Sequence, residues 1–112
     1  MTIRGETVPS ISVATLAEWR NDGRAHGLLD IREAAELDVA ALEGAMHIPM
    51  GEVPARLDEL PADAPLVVLC HHGVRSAMMV DYLRRQGIDA AVNLAGGIDA
   101  WSREIDPAVP LY

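Results

Sequence analysis

The sequence LVVLCHHGVRS, residues 66–76, decides the fold class of this chain. Residues 66–69 form a continuous apolar run, which is typical of an interior parallel strand covered by helices on both faces. Residues 75–86 have the apolar spacing of an amphipathic helix, and Gly87 is expected as its C-terminal cap. The loop between them therefore lies at the carboxyl end of a buried strand, where open α/β sheets bind ligands.

Strands and helices are predicted to alternate along the rest of the chain. Further strands are expected over four stretches, namely residues 11–13, 27–31, 45–48 and 91–94. Further helices are expected over residues 32–37 and 53–60. Another helix is expected to begin with a capping box of Thr15 and Glu18 and to end at Gly23. This alternation favours one α/β unit with a mainly parallel sheet.

The composition is that of a single globular domain. The chain has 112 residues, half of them hydrophobic, which suits one domain with its own core. Seventeen acidic residues against nine arginines, with no lysine, give a formal net charge of -8. This charge opposes binding to nucleic acids and anionic membranes, and the lack of lysine excludes Schiff-base chemistry. Neither a signal peptide nor a membrane span is expected, because no stretch is long and apolar enough.

Cys70 is the only cysteine and the candidate nucleophile. A lone cysteine forms no disulfide within the chain, so a reducing, cytoplasmic location is expected. The loop after it contains Gly73 and runs into a helix, so successive backbone N–H groups can turn towards the sulfur. These groups and the helix dipole favour the thiolate, which is the reactive form. We expect Cys70 at the rim of this cradle and Ser76 as the cap of the helix.

The loop residues also allow less specific interpretations. Cys70 could be an inert core thiol, but such a thiol does not require a glycine-containing loop with two histidines and an arginine. His71 and His72 could face solvent or bind a metal together with Cys70. We expect no metal, because adjacent loop ligands rarely converge and no second Cys/His cluster completes the coordination. Arg75 could be a surface charge, a brace for the loop or a contact for an anionic substrate.

Four motifs, taken in order, resemble those of the rhodanese family. They are LDIR at residues 29–32 with Glu36 downstream, GAMHIP at 44–49, the cysteine loop at 70–76 and NLAGGIDAW at 93–101. The resemblance covers nearly the whole chain and implies a single rhodanese domain over residues 1–112. The implied fold is α/β, with a five-stranded mainly parallel sheet flanked by helices on both faces, and the family needs no cofactor.

The resemblance also implies a reaction. Cys70 would take a sulfane sulfur from a small donor such as thiosulfate, hold it as a persulfide and pass it to cyanide or a thiol. The implied substrate-binding positions, acting chiefly through the main chain, are His71, His72, Gly73, Val74, Arg75 and Ser76. Asp30 and Arg32 match positions that support the site. Because no second cysteine is present, the acceptor must be another molecule, either small or a sulfur-accepting protein.

The loop departs from the family pattern in its charge. Members that handle thiosulfate well often carry arginine or lysine beside the cysteine, whereas His71 and His72 stand here. Unperturbed histidine loses its charge near pH ~6.5, which places thiosulfate in doubt as the physiological donor. Thiosulfate turnover per unit of thiolate is therefore expected to rise as the pH falls towards about 6.

Two other functions fit part of the pattern. Cysteine phosphatases related to this family have five residues between the cysteine and the arginine of their loop, but only residues 71–74 lie between Cys70 and Arg75 here. A smaller ring of amides suits one sulfur atom better than a phosphate. The other alternative is a non-catalytic interaction or regulatory module. Modules of that kind typically lack the cysteine, which this chain retains.

Overall fold

The computed structural model describes residues 8–112 and contains one sheet of five strands. The strands are β1 Ser10–Ile11, β2 Gly27–Asp30, β3 Met46–His47, β4 Leu66–Leu69 and β5 Ala91–Leu94. Their order across the sheet is β1-β5-β4-β2-β3, and every neighbouring pair is parallel. The expected five-stranded parallel sheet is confirmed, with β4 at its centre.

Each parallel connection crosses over the sheet, and helices supply these crossovers. The α-helices are α1 Val13–Asp22, α2 Ala34–Val39, α3 Val74–Arg85 and α4 Gly97–Glu104, and a 3-10 helix covers Met50–Glu59. Among the helices of the described residues, none has the length and apolarity that crossing a bilayer requires.

The buried side chains of β4 alternate between two hydrophobic clusters, one on each face of the sheet. Leu66 and Val68 belong to the cluster that contains the inner side of α3 and the 3-10 helix. Val67 and Leu69 belong to the cluster formed with α1 and α4. All four residues are at most 1% exposed. This alternation explains the continuous apolar run and confirms that helices cover both faces.

The expected start of α1 is wrong by a few residues. β1 ends at Ile11, and Ser12 is the N-cap, accepting a hydrogen bond from the Thr15 backbone N–H at 3.1 Å. Thr15 therefore lies inside the helix and is not its cap. Ser12 has the extended backbone that a cap needs, because it directly follows the strand. The predicted end is confirmed, since Gly23 caps the helix with a left-handed φ of 71°.

The helix expected over residues 32–37 begins two residues later, at Ala34. Glu33 is its N-cap and forms a capping box with Glu36. Arg32 lies before the helix and is completely buried, with its guanidinium paired to Asp30. Arg32 therefore belongs to a buried ion pair at the end of β2, at the position where the sequence predicts the first residue of the helix.

Candidate active site

Cys70 directly follows β4 at the carboxyl edge of the sheet and is 1% exposed. The sequence predicts Cys70 at the rim of the cradle, whereas the structure buries it beneath the loop. The Sγ atom accepts hydrogen bonds from the backbone N–H groups of Gly73, at 3.2 Å, and Ser76, at 3.3 Å. An inert core thiol has apolar surroundings, whereas Sγ of Cys70 accepts from two backbone donors at the N-terminal end of α3.

Gly73 allows the loop to turn into α3. It is the N-cap of that helix, with a left-handed φ of 96°. A Cβ atom at this position would lie 3.0 Å from the backbone nitrogen of Gly96. Both the conformation and the close approach require glycine. Without that turn, the N–H groups of residues 73 and 76 could not both reach Sγ.

Ser76 was expected to cap α3, and this prediction is wrong because Gly73 occupies the cap position. Ser76 lies within the first turn and is fully buried. Its Oγ is 3.3 Å from Sγ of Cys70 and donates a hydrogen bond to Oδ1 of Asn93 at 2.6 Å. Asn93 in turn donates from Nδ2 to the Gly73 carbonyl at 3.3 Å. These contacts connect the cysteine to α3 and β5.

The N-terminal end of α4 orients the peptide groups that follow the cysteine. The backbone N–H of Ile98 donates to the Cys70 carbonyl and that of Asp99 to the His71 carbonyl, both at 3.0 Å. In a trans peptide the C=O and N–H point in opposite directions, so the N–H groups of His71 and His72 point away from α4. Backbone donors on the open side of the loop are thereby held in place.

Gly97 makes this close approach possible. Its φ is 61°, and a Cβ atom there would lie 2.5 Å from the carbonyl oxygens of both Cys70 and His71. The sequence marks Gly96 and Gly97 only as part of the motif at residues 93–101. Their contact with the cysteine loop depends on packing between segments more than twenty residues apart in the sequence.

Arg75 forms a two-bond ion pair with Glu36 of α2. The distances are 2.8 Å from Nη1 to Oε1 and 2.9 Å from Nη2 to Oε2. The guanidinium lowers the pKa of Glu36 to about 2, and the carboxylate raises the pKa of Arg75. Of the three interpretations that the sequence allows for Arg75, the geometry favours the brace, because Arg75 joins the start of α3 to α2.

Asp30 and Arg32 form a fully buried pair behind the loop. Arg32 Nη2 lies 2.6 Å from Oδ2 of Asp30 and also donates to the Ala40 carbonyl at 2.8 Å. The Asp30 carboxylate accepts from the Arg32 backbone N–H at 3.1 Å as well. Asp30 ends β2, which pairs directly with β4, so the ion pair holds the sheet edge from which Cys70 emerges.

Tyr112 reaches the site from the far end of the chain, and sequence analysis does not identify it. Its ring stacks on His71 with centroids 3.8 Å apart and 4° between the planes. Its hydroxyl accepts from Arg32 Nη1 and donates to Glu36 Oε2, both at 2.8 Å. Tyr112 thus links the two ion pairs to the cysteine loop. No local pattern marks it, because its partners lie 41 to 80 residues away in the sequence.

The two loop histidines have different surroundings. Burial lowers the pKa of His71, with a further decrease from neighbouring His72, so His71 stays neutral near pH 7. His72 is 60% exposed, and its Nδ1 lies 3.8 Å from Oδ2 of Asp99. Metal-binding atoms of His71, His72 and Asp99 lie within 4.8 Å of one another, and Cys70 is not part of this group.

A cavity of about 310 Å³ opens beside the loop, between α3 and the turn that follows β5. His72 and Gly73 belong both to the loop and to the wall of this cavity. The wall is mainly apolar and includes Val74 and Met78, whose side chains are exposed. The cavity is large enough for a small organic molecule.

Comparisons with known proteins agree with this fold. The Rhodanese-like domain model matches residues 12–104. A sulfurtransferase of Allochromatium vinosum is 40% identical and aligns over 73% of this chain and 77% of its own length. The putative sulfurtransferase YtwF of Bacillus subtilis is 35% identical, over 89% of this chain and 96% of its own.

The structural comparison gives the same result. The crystal structure of a rhodanese-related protein from Thermoplasma volcanium has a TM-score of 0.80 and 35% identity, and the match covers 93% of this chain and 99% of that one. Some relatives are much longer: this chain spans 27% of the length of the probable adenylyltransferase/sulfurtransferase MoeZ of Mycobacterium tuberculosis. The described sheet, the cysteine loop and these matches together place the chain in the rhodanese-like domain family, to which sulfurtransferases belong.

Proposed function

We propose that this protein is a sulfurtransferase that carries a sulfane sulfur on Cys70 as a persulfide. The observation that carries the proposal is the pair of backbone N–H groups, from Gly73 and Ser76, that donate to Sγ. They stabilise the thiolate before the reaction and a thiolate leaving group after it. Relatives named as sulfurtransferases support the reaction class.

The reaction has two displacement steps. With thiosulfate as donor, the Cys70 thiolate attacks the outer sulfur, the S–S bond of thiosulfate breaks, and sulfite leaves with the bonding electrons. The enzyme then holds Sγ–S⁻. In the second step cyanide or a thiolate attacks this outer sulfur, the new bond forms thiocyanate or a persulfide, and the Cys70 thiolate is regenerated. Neither step needs an oxidant, a reductant or a cofactor.

The loop supplies binding mainly through its main chain. We assign the binding of a second sulfur atom to backbone N–H groups of this loop, of which those of Gly73 and Ser76 already donate to Sγ. Arg75 is engaged by Glu36, so we assign it to positioning α3, and Asp30 with Arg32 to bracing the sheet edge. We assign the adjacent cavity to the non-reacting part of the donor or acceptor.

The acceptor is a separate molecule, because Cys70 is the only cysteine and no internal thiol can discharge the persulfide. Candidates are cyanide, a small thiol and a sulfur-accepting protein. The net charge of -8 opposes nucleic acids and anionic membranes as partners. A reducing compartment such as the cytoplasm suits a reactive free thiol.

Mass spectrometry of the intact protein tests the proposal. Incubation with thiosulfate or an organic persulfide should add the mass of one sulfur atom on Cys70, and cyanide should remove it as thiocyanate. Cys70→Ser should abolish both events, while Ser102→Ala, a substitution at a buried serine outside the loop, should retain them. The proposal fails if neither donor loads the protein or if Cys70→Ser loads equally. If neither donor loads the protein, an interaction module is the better explanation. Phosphate-ester hydrolysis in a parallel assay would instead indicate a phosphatase.

A further inference from the structure

We propose that His71, His72 and Asp99 form a binding site for a divalent transition-metal ion such as Zn²⁺ on the outer side of the cysteine loop. Each residue offers one ligand atom, a ring nitrogen or a carboxylate oxygen, and these atoms lie within 4.8 Å of one another. Imidazole nitrogen and carboxylate oxygen are ligands that Zn²⁺ uses in proteins. Two histidines and one carboxylate leave a coordination position open for solvent or another ligand.

The three groups converge because the third comes from a different element. His71 and His72 are adjacent in the loop, and their ring centroids lie 3.9 Å apart. Asp99 is in the first turn of α4, and its backbone N–H donates to the His71 carbonyl at 3.0 Å. This backbone bond sets the position of the carboxylate relative to the loop. The sequence does not reveal this contribution from α4, because Asp99 lies 27 residues after His72.

A second observation points to a ligand at this place. Nε2 of His71 is buried and has no hydrogen-bond partner among the described residues. Buried polar atoms are normally satisfied, so this ring nitrogen is available to a further ligand. The side chain of His72 is 60% exposed, which leaves the cluster open to ions from solvent.

Arg103 and Cys70 lie near the proposed metal site but are not among its ligands. Nε of Arg103 lies 2.9 Å from Oδ2 of Asp99, so the guanidinium competes with a metal for this carboxylate. Cys70 lies outside the cluster, and its Sγ is engaged by backbone N–H groups at the start of α3. The proposed site is therefore separate from the thiol, although both belong to the same loop.

Metal titration of tag-free protein tests this site independently of sulfur transfer. Calorimetry with Zn²⁺ and visible absorption with Co²⁺ should both show one ion per chain, with the same affinity in the wild type and in Cys70→Ser. His72→Ala and Asp99→Asn should each weaken binding by at least about tenfold. His26→Ala should leave the affinity unchanged, because His26 lies outside the cluster and its Nδ1 contacts the Arg24 carbonyl.

Arg103→Gln should change the Zn²⁺ affinity in the opposite direction. It removes the guanidinium from the Asp99 carboxylate and should therefore tighten Zn²⁺ binding. An unchanged or weaker affinity in Arg103→Gln would overturn the assignment of Asp99 as a ligand. The site itself is refuted by undetectable binding in the wild type, by loss of binding in Cys70→Ser, or by binding that survives His72→Ala and Asp99→Asn. None of these results depends on whether the protein transfers sulfur.

Discussion

Glu36 and Arg75 form a two-bond ion pair that connects α2 to the first turn of α3, with N–O distances of 2.8 and 2.9 Å. Arg75 is the only arginine of residues 70–76, and this pairing leaves its charge largely compensated. His71 is kept neutral by burial, which lowers its pKa. Backbone N–H groups and the end of α3 therefore supply positive potential around Cys70. Such an environment suits a singly charged sulfur atom better than a dianion.

The same pair predicts a pH-dependent stability. The pKa of Glu36 is about 2 in the folded protein against an ordinary value of 4.5. Between these values the unfolded chain binds more protons, so the free energy of unfolding falls as the pH falls through this window. Compared with Glu36→Gln, the wild type should be more stable by about 1–2 kcal/mol above pH 4.5, after allowance for solvent screening, and should lose this advantage towards pH 2.

Urea unfolding of both proteins near neutral pH and in acid measures this difference. Glu18→Gln, at an exposed glutamate of α1, is the control and should show little change in stability at either pH. A wild-type advantage over Glu36→Gln that is the same in acid as at neutral pH would contradict the prediction.

Substitution of Gly97 should displace the cysteine loop. An alanine Cβ would lie 2.5 Å from two carbonyl oxygens of the loop, at a left-handed φ of 61°. We expect Gly97→Ala to lose at least about 2 kcal/mol of stability and most sulfur loading. Gly44→Ala is a matched control, because its φ is 85° but nothing lies within 4 Å of its Cβ position. It should lose only about 1 kcal/mol. Equal losses in the two variants would argue against the steric explanation.

Ser76 should affect the reactivity of Cys70. Ser76→Ala removes the hydroxyl 3.3 Å from Sγ and leaves Oδ1 of Asn93 without its donor. We expect the rate of Cys70 alkylation by iodoacetamide to fall by about tenfold, since the Ser76–Asn93–Gly73 hydrogen bonds no longer hold the backbone N–H donors of Gly73 and Ser76 against Sγ. Ser102→Ala also removes a buried hydroxyl, which contacts the Val109 carbonyl far from the sulfur. Its alkylation rate should match the wild type, and a similar decrease in both variants would show that only general stability matters.

Tyr112 should stabilise the loop in two separable ways. Tyr112→Phe keeps the ring stacked on His71 but removes the hydroxyl that contacts Arg32 and Glu36, and should cost about 1 kcal/mol. Tyr112→Ala should also speed hydrogen exchange of the loop amides, because the stacking is lost. Leu111→Ala, at a residue that is 51% exposed, should change neither quantity. Loop exchange that is unaffected by Tyr112→Ala would show that the stacking does not order the loop.

The sequence predicts the structure most accurately where the signal is local. The expected strand at residues 66–69 matches β4 residue for residue, and α3 and Gly23 lie where the pattern placed them, to within one residue. The prediction is less accurate at helix starts. Ser12 caps α1 instead of Thr15, and Gly73 caps α3 instead of Ser76. A cap depends on the residue at which the preceding strand or loop ends, and several neighbouring serines and threonines satisfy the same local pattern.

The amino-acid sequence by itself determined the parallel sheet, the cysteine at the end of its central strand and the glycine that turns the loop into α3. Apolar runs, helical spacing and turn residues act over a few positions, so they can be recognised along the chain. Only the tertiary structure decided that Glu36 engages Arg75, that Gly97 supports the loop carbonyls, and that Tyr112 and Asp99 lie beside the two histidines. These contacts join segments up to 80 residues apart, and the packing of whole elements brings them together without any local pattern.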